Sequence, residues 1–210
     1  MNKIFFTLLL FFIYGSIFSQ NGRKLNENEK HAFEQKIVEY SKTIQTIQCA
    51  FVQEKTSTLV SEKSVAKGIM LYQAPSKLRW EYTELMPSTL ILTEKNAVLL
   101  DKNGNKTGNE KMLKQLGELI ISMINGKGIA QNRQFSSMFY EINQTEMLVV
   151  LTPVQKRLKD MYQKIELKMD QKTMLANEII LHEKNGDFTH ISFSNTILNS
   201  EISPSKFAIQ

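Results

Sequence analysis

Cysteine is almost missing from this chain, since Cys49 is the single one among 210 residues. A disulfide framework is therefore excluded, and buried apolar side chains have to stabilise the fold. Histidine is scarce as well, with three residues, and no zinc-ligand spacing, nucleophile elbow, phosphate-binding loop or dinucleotide fingerprint is present. We therefore predict no metal, no cofactor and no enzyme activity, and we interpret Cys49 as a small buried apolar residue.

Long apolar runs are missing too, apart from one at the N-terminus. Residues 4–12 form an apolar stretch that follows Lys3 and precedes the short segment Ile17-Phe18-Ser19. This stretch is too short to span a bilayer and is typical of a secretory signal peptide. We expect residues 1–19 to be removed and the mature protein to reside in the periplasm.

Long runs of charge of one sign are missing from the sequence. The formal net charge is +5, and loss of the signal with its lone lysine lowers it to +4. Basic and acidic residues alternate along the sequence, which argues against a nucleic-acid groove. Residues 20–210 contain no repeat or linker, so the sequence predicts one domain. We expect this domain to be a monomer.

The N-terminal part of the mature chain predicts a helix. Asn26 and Glu29 have the spacing of a capping box. Apolar residues then recur at helical spacing up to about residue 46, namely Phe33, Ile37, Tyr40 and Ile44, with Ile47 continuing the series. One narrow apolar stripe indicates a helix that lies across a sheet.

Strand patterns dominate the rest of the chain. From residue 48 apolar residues alternate with polar ones, and Gly68 marks a bulge or bend in the second strand. A wide apolar face over residues 111–125 predicts a second helix that ends at Gly126 and Gly128. Five strands precede this helix and about five follow it, with a polar connection at 155–160. So many consecutive strands predict a strongly curved antiparallel sheet.

The histidines are interpreted as surface residues. His31 lies on the polar side of the first helix, and His182 and His190 flank the turn at 185–187. A three-residue loop places His182 opposite His190, whereas a two-residue Asn-Gly turn places them on opposite faces. The apolar residues pair better under the first alternative, with both histidines in solvent.

Two segments carry the functional hypothesis. Leu78, Trp80 and Tyr82 share one face of a strand that opens at Pro75, so three bulky groups line one side of the curved sheet. Polar loops on both sides of the helix at 111–125 allow it to move as a lid, and a fixed covering helix is the alternative.

Taken in order, these residues resemble the family of LolA-like outer-membrane lipoprotein carriers. The shared pattern is Phe51-x-Gln53, Gly68, Pro75-x-x-Leu78-Arg79-Trp80-x-Tyr82 with Pro87, Leu151-Thr152-Pro153, and Ser203-Pro204-Ser205-Lys206-Phe207. The resemblance covers nearly all of the mature chain.

The resemblance implies a fold that is mainly β with helices. The fold is an unclosed, strongly curved antiparallel β-barrel (a half-barrel) covered by an N-terminal helix and a helical lid. It implies a periplasmic carrier that takes lipoprotein acyl chains from an inner-membrane releasing transporter to an outer-membrane acceptor. The expected cavity-lining residues are Phe51, Met70, Tyr72, Leu78, Trp80, Tyr82, Leu113, Leu116, Ile120 and Met123.

One position departs from the family. The arginine that precedes the motif proline and holds the lid closed in well-known members is Ala74 here. This departure supports an alternative function on the same fold, a carrier or sensor of another lipid such as a glycolipid or a polyene pigment intermediate.

Overall fold

The computed structural model describes residues 22–84, 87–124, 127–130 and 134–209. The predicted signal peptide, the domain boundary at residue 20 and the helix end at Gly126 lie outside these residues. The prediction of a single domain remains a prediction. None of the helices in the described segments is both long and apolar enough to cross a membrane.

The described chain forms one antiparallel sheet with four helices and a closing 3-10 turn. The strands are β1 Arg23–Lys24, β2 Thr46–Ser57, β3 Val60–Gln73, β4 Lys77–Tyr82, β5 Ser88–Leu92, β6 Ala97–Leu100, β7 Lys106–Thr107, β8 Phe135–Glu141, β9 Glu146–Pro153, β10 Tyr162–Asp170, β11 Ala176–Glu183 and β12 Phe188–Leu198. The helices are α1 Glu27–Thr43, α2 Glu110–Ile124, α3 Lys127–Ala130 and α4 Lys156–Met161, and the turn is Pro204–Phe207.

The sheet is an open half-barrel. Its strand order is β1-β8-β9-β10-β11-β12-β2-β3-β4-β5-β6-β7, so almost every strand pairs with its neighbour in sequence. Among the described residues β1 and β7 stand at the two edges and do not pair with each other. The predicted fold class is thereby confirmed, including the unclosed antiparallel sheet and the helices that accompany it.

Helix α1 begins where its capping residues predict. The Asn26 side chain accepts a hydrogen bond from the Glu29 amide at 3.0 Å, and the Glu29 carboxylate accepts one from the Asn26 amide at 2.9 Å. Phe33 and Ile37 are buried, and the Phe33 ring meets Phe139 of β8 edge-on, with 5.7 Å between centroids. The helix thus lies against the inner face of the sheet and ends at Thr43, slightly before the predicted residue 46.

Four local predictions are corrected by the structure. The polar connection at 155–160 forms helix α4, and the short edge strands β1 and β7 raise the number of strands to twelve. Gly128 lies inside helix α3 and ends no helix. Gly68 forms no bulge, because Phe51, Gly68 and Tyr82 pair in regular register across three strands.

The β11–β12 hairpin keeps the predicted faces and changes the predicted pairing. Its loop is the three residues 184–186, closed by the Glu183 amide donating to the Asp187 carbonyl at 2.8 Å, with Gly186 at φ +90°. His190 therefore pairs with Ile180 and His182 with Phe188, two residues away from the predicted register. A shift by two preserves side-chain direction, so both histidines still share the outer face.

The C-terminal segment covers part of the outer face. Ile202 and Phe207 pack with Leu71 of β3 in a small apolar cluster. The Arg79 guanidinium of β4 donates to the Lys206 carbonyl at 3.1 Å, which holds the segment in place.

Candidate functional site

The inner face of the half-barrel is an apolar surface built by strand alternation. Each strand directs every second side chain inward. On β2 to β5 the inward residues that are buried include Ile47, Cys49, Phe51, Met70, Tyr72, Leu78, Trp80, Leu90 and Leu92. They belong to one continuous cluster with the inward residues of β8 to β12, so both halves of the chain contribute to the same interior.

Four aromatic rings pack together on this inner face. Phe51 stacks on Trp80 with 4.1 Å between ring centroids, and Tyr82 meets Phe51 edge-on at 5.4 Å. Phe193 of β12 meets Trp80 edge-on at 6.1 Å. The Tyr82 hydroxyl donates a hydrogen bond to the Gln53 side chain at 2.9 Å, so the polar group of this ring has a partner.

Gly68 makes this aromatic packing possible. A Cβ at position 68 would lie 2.5 Å from Cζ of Phe51 and 2.0 Å from the Glu81 carbonyl oxygen. The Phe51 ring therefore occupies the space that a side chain at 68 would need. The sequence pattern places the glycine correctly, and its role is close packing.

Helix α2 covers one side of the interior. Leu113, Ile121 and Met123 are buried, and Ile120 packs partly buried against the same cluster. The helix contacts β5, β6 and α3, and α3 contacts α1, so the helices form a continuous cover. A Cβ on Gly117 would lie 2.9 Å from Leu92 Cδ2, which shows how closely α2 approaches β5.

A guanidinium from the β9–β10 connection contacts helix α2. Arg157 of α4 donates a hydrogen bond to the Gln115 side chain of α2. Ala74 packs half-buried against the interior, and its amide donates to the Gln45 carbonyl at 2.8 Å. In the described part of the chain, the arginine that contacts α2 is thus Arg157, which lies between β9 and β10.

Two cavities adjoin the covered interior at the same end of the strands. One of about 170 Å³ has apolar walls that include Ile47, Met70 and Phe193, and a polar rim that includes Asp170 and Asn177. The other, of about 400 Å³, lies between α2 and the β3–β4 and β5–β6 turns, and is lined by Pro75, Ser76, Leu92, Thr93, Glu94, Lys114, Glu118, Ile121 and Ser122.

Cys49 lines the smaller cavity as a thiol. Burial raises the pKa of Cys49 to about 12, so the reactive thiolate is scarce at neutral pH. The predicted interpretation of Cys49 as a buried apolar residue is confirmed by its 6% exposure.

The structure brings the predicted cavity-lining residues together. Phe51, Met70, Tyr72, Leu78, Trp80, Leu113 and Met123 are buried in one cluster, and Tyr82 and Ile120 pack partly buried against it. The Leu116 side chain lies outside the described part of the structure. The prediction missed Leu92, Ile121 and Phe193, although the alternation of β5 and β12 and the helical spacing of α2 contain the signal for them.

The histidines lie apart from this interior. On the outer face His182 Nε2 is 3.2 Å from Glu166 Oε2, and His190 Nε2 is 2.8 Å from Glu178 Oε2. Partial burial acts to raise the pKa of Glu166, but hydrogen bonds from Lys164 and His182 outweigh it and the pKa is lowered. Across the described residues no three histidine, cysteine or acidic side chains gather as a metal site would require.

The comparisons with known proteins agree with this architecture. The model of the family described as "Outer membrane lipoprotein carrier protein LolA" matches residues 42–210. No curated protein matches this chain significantly.

Several solved structures are similar to this chain. The Pseudomonas aeruginosa MucA/MucB complex matches with a TM-score of 0.54 at 9% identity, over 86% of this chain and 60% of that one. A LolA superfamily protein from Nitrosomonas europaea matches with a TM-score of 0.45 at 13% identity, over 83% of this chain and 97% of that one. A putative outer membrane lipoprotein-sorting protein domain from Vibrio parahaemolyticus matches with a TM-score of 0.48 at 10% identity, over 87% and 97%.

Proposed function

The chain belongs to the LolA family of outer membrane lipoprotein carrier proteins, and from this premise we propose that it is a periplasmic carrier of lipoproteins. Its half-barrel shelters their acyl chains between release from an inner-membrane transporter and delivery to an outer-membrane acceptor. It acts as a monomer with a removed signal peptide, without catalysis and without a cofactor.

The observation that supports this proposal most is how the interior is filled. The chain's own helices supply the apolar side chains that cover the inner face, among them Leu113, Ile121 and Met123 of α2. Helix α2 is joined to β5 and β6 by packing, so an acyl chain can replace it with similar apolar contacts. The proposed cargo-binding residues are the ten predicted ones together with Leu92, Ile121 and Phe193.

A filled interior also explains how cargo can be released. Each buried methylene contributes about 0.8 kcal/mol, so full burial of two or three acyl chains in an empty cavity would give tens of kcal/mol. Such binding could not be reversed on a useful time scale. A lid that refills the interior competes with the cargo and lowers the net affinity, so cargo exchange becomes a shift between two populations.

The test is to identify the lipid that copurifies with the exported protein by mass spectrometry. Triacylated lipoprotein supports the proposed function. Free glycolipid or polyene supports the alternative carrier, and a chemically altered lipid after incubation supports an enzyme.

The alternative carrier of another amphiphile is favoured by the smaller cavity. Its apolar wall meets a polar rim that includes Asp170, Thr173, Asn177 and Thr196. An amphiphile with a hydroxylated headgroup matches such a boundary, because its polar groups need partners when they leave water. Ala74 in place of the family's arginine agrees with this alternative.

Cargo binding is expected to change the emission of Trp80. It is the single tryptophan of the chain, it is 4% exposed, and it stacks on Phe51. A long-chain amphiphile that enters the interior must disturb this stack, so the emission should shift or be quenched during titration. An unchanged spectrum at saturation, with binding verified independently, would remove Trp80 from the binding surface.

Carrier activity is expected to survive replacement of each residue that could serve catalysis or metal binding. His31→Ala, His182→Ala, His190→Ala and Cys49→Ala should each retain lipid uptake close to that of the parent, because the histidines lie outside the interior and Cys49 acts as an apolar residue. The measurement is uptake of a fluorescent fatty acid by the purified variants. Loss of uptake in a folded variant would point to a chemical role for that side chain.

A further inference from the structure

Large apolar side chains stand in solvent at one end of the sheet. Leu59, at the tip of the β2–β3 hairpin, is 91% exposed. Val154, which precedes α4, is 51% exposed, and Met161, the last residue of α4, is 47% exposed. Single exposed apolar residues are ordinary on a protein surface. These three belong to chain connections that adjoin one another.

Hydrogen bonds join the three connections into one edge. The Lys184 amide in the β11–β12 loop donates to the Met161 carbonyl at 3.0 Å. Thr58 beside Leu59 donates from its amide to Asp187 Oδ1 at 2.8 Å and from its hydroxyl to the Asn185 carbonyl at 3.4 Å. We call this edge, formed by residues 58–59, 154–161 and 184–186, the basic rim.

The charge of the basic rim is mostly positive. Its exposed basic residues are Lys156, Arg157, Lys159 and Lys184. Asp160 is its acidic residue, while the adjacent Glu183 pairs with Lys55 at 3.3 Å and Asp187 is buried against Thr58. The rim therefore presents apolar side chains surrounded by exposed cations.

We propose that the basic rim docks this protein on an anionic phospholipid surface. Leu59, Val154 and Met161 enter the headgroup region, and the lysines and Arg157 contact the lipid phosphates. Apolar insertion combined with basic charge is the pattern by which peripheral proteins bind anionic bilayers. A lipid surface suits the rim better than a protein partner does, because the apolar side chains protrude from separate tips and line no groove.

Docking through the basic rim leaves the proposed cargo site accessible. Both cavities adjoin the opposite end of the strands, near residues 75–76, 93–94 and 170–177. The surface and the cargo therefore do not compete for the same residues. Membrane docking is a function in addition to the proposed carrier function, and vesicle binding can be measured independently of cargo uptake.

The test is cosedimentation of the purified protein with phosphatidylcholine vesicles that either contain or lack phosphatidylglycerol. Binding is expected for the anionic vesicles alone and should weaken as salt rises. Each basic residue near an anionic surface raises the binding constant about fivefold. The double variant Lys156→Glu with Lys159→Glu should therefore weaken vesicle binding by at least about 25-fold. Leu59→Asp should weaken it about tenfold through loss of apolar insertion.

Matched controls carry the same changes at the opposite end. Lys95→Glu with Lys172→Glu reverses two exposed lysines in other turns, and Ile197→Asp replaces a side chain that is 56% exposed. Both controls should bind almost as the parent does, and native Trp80 emission verifies the fold of every variant. Failure of the parent to bind anionic vesicles overturns the proposal, as does equal loss of binding in rim and control variants.

Discussion

Tying helix α2 to strand β5 is expected to abolish cargo uptake. The variant carries Leu92→Cys and Gly117→Cys in a Cys49→Ala background. A Cβ on Gly117 would lie 3.4 Å from the Leu92 Cβ, close to the separation of about 3.5–4.5 Å that a disulfide requires. The oxidised protein should fold and bind no fluorescent fatty acid, because the side chains of α2 then cannot leave the interior.

Reduction of the same sample is the matched control and should restore uptake. Leu92→Cys alone in the Cys49→Ala background cannot form an intramolecular disulfide, so it should bind cargo under both conditions. Normal uptake by a protein whose crosslink is verified by mass spectrometry would show that α2 is a fixed cover. Cargo would then enter elsewhere, and the smaller cavity beside Cys49 would be the first place to examine.

Gly68→Ala is expected to cost about 3 kcal/mol or more of the free energy of unfolding, as overpacking of a rigid interior does. The added methyl group would lie 2.0 Å from the Glu81 carbonyl oxygen, which is backbone, and 2.5 Å from the Phe51 ring. Relief requires the sheet to separate or Phe51 to leave its stack on Trp80. The measurement is urea unfolding followed by Trp80 emission, with the slope checked for constancy.

Gly104→Ala separates this clash from the general effect of replacing a glycine. A Cβ there would meet no atom within 4 Å, and its φ of +83° is the source of strain. Its expected cost is about 1 kcal/mol. If Gly68→Ala costs no more than Gly104→Ala, the close packing of Phe51 over residue 68 is wrong, and the arrangement of the proposed cargo-binding rings is wrong with it.

These two expectations share one physical origin. The interior of the half-barrel is packed by side chains from the sheet and from the helices that cover it. A tight contact within the sheet, such as Phe51 against Gly68, stabilises the fold. A tight contact between sheet and lid, such as Leu92 against Gly117, must also open in the proposed function, because cargo takes the place of α2.

Local patterns in the sequence were sufficient for most elements. The capping box of Asn26 and Glu29 predicted the start of α1, and alternation predicted the inward face of Leu78 and Trp80. Both signals act between residues a few positions apart, so they can be recognised without knowledge of the rest of the chain. The helical spacing of α2 was recognisable for the same reason.

Contacts between distant residues could not be predicted in the same way. The β11–β12 pairing differs from the prediction by two residues, because Gly186 takes the left-handed position that closes a loop one residue earlier. The contact of Arg157 with Gln115 joins helices α4 and α2, which are far apart in the chain. No local pattern indicates such a pair.

The sequence by itself determined the curved antiparallel sheet and the inward faces of its strands, because side-chain periodicity encodes them locally. Its short motifs determined the family resemblance, which implied the half-barrel. Tertiary structure alone decided that Gly68 accommodates Phe51, that α2 meets β5 at Gly117, and that Leu59 and Met161 share one rim with the lysines of α4. Each of these depends on which strands become neighbours. Which strands become neighbours depends on how the whole interior packs, so it cannot be predicted from either residue of a single contact.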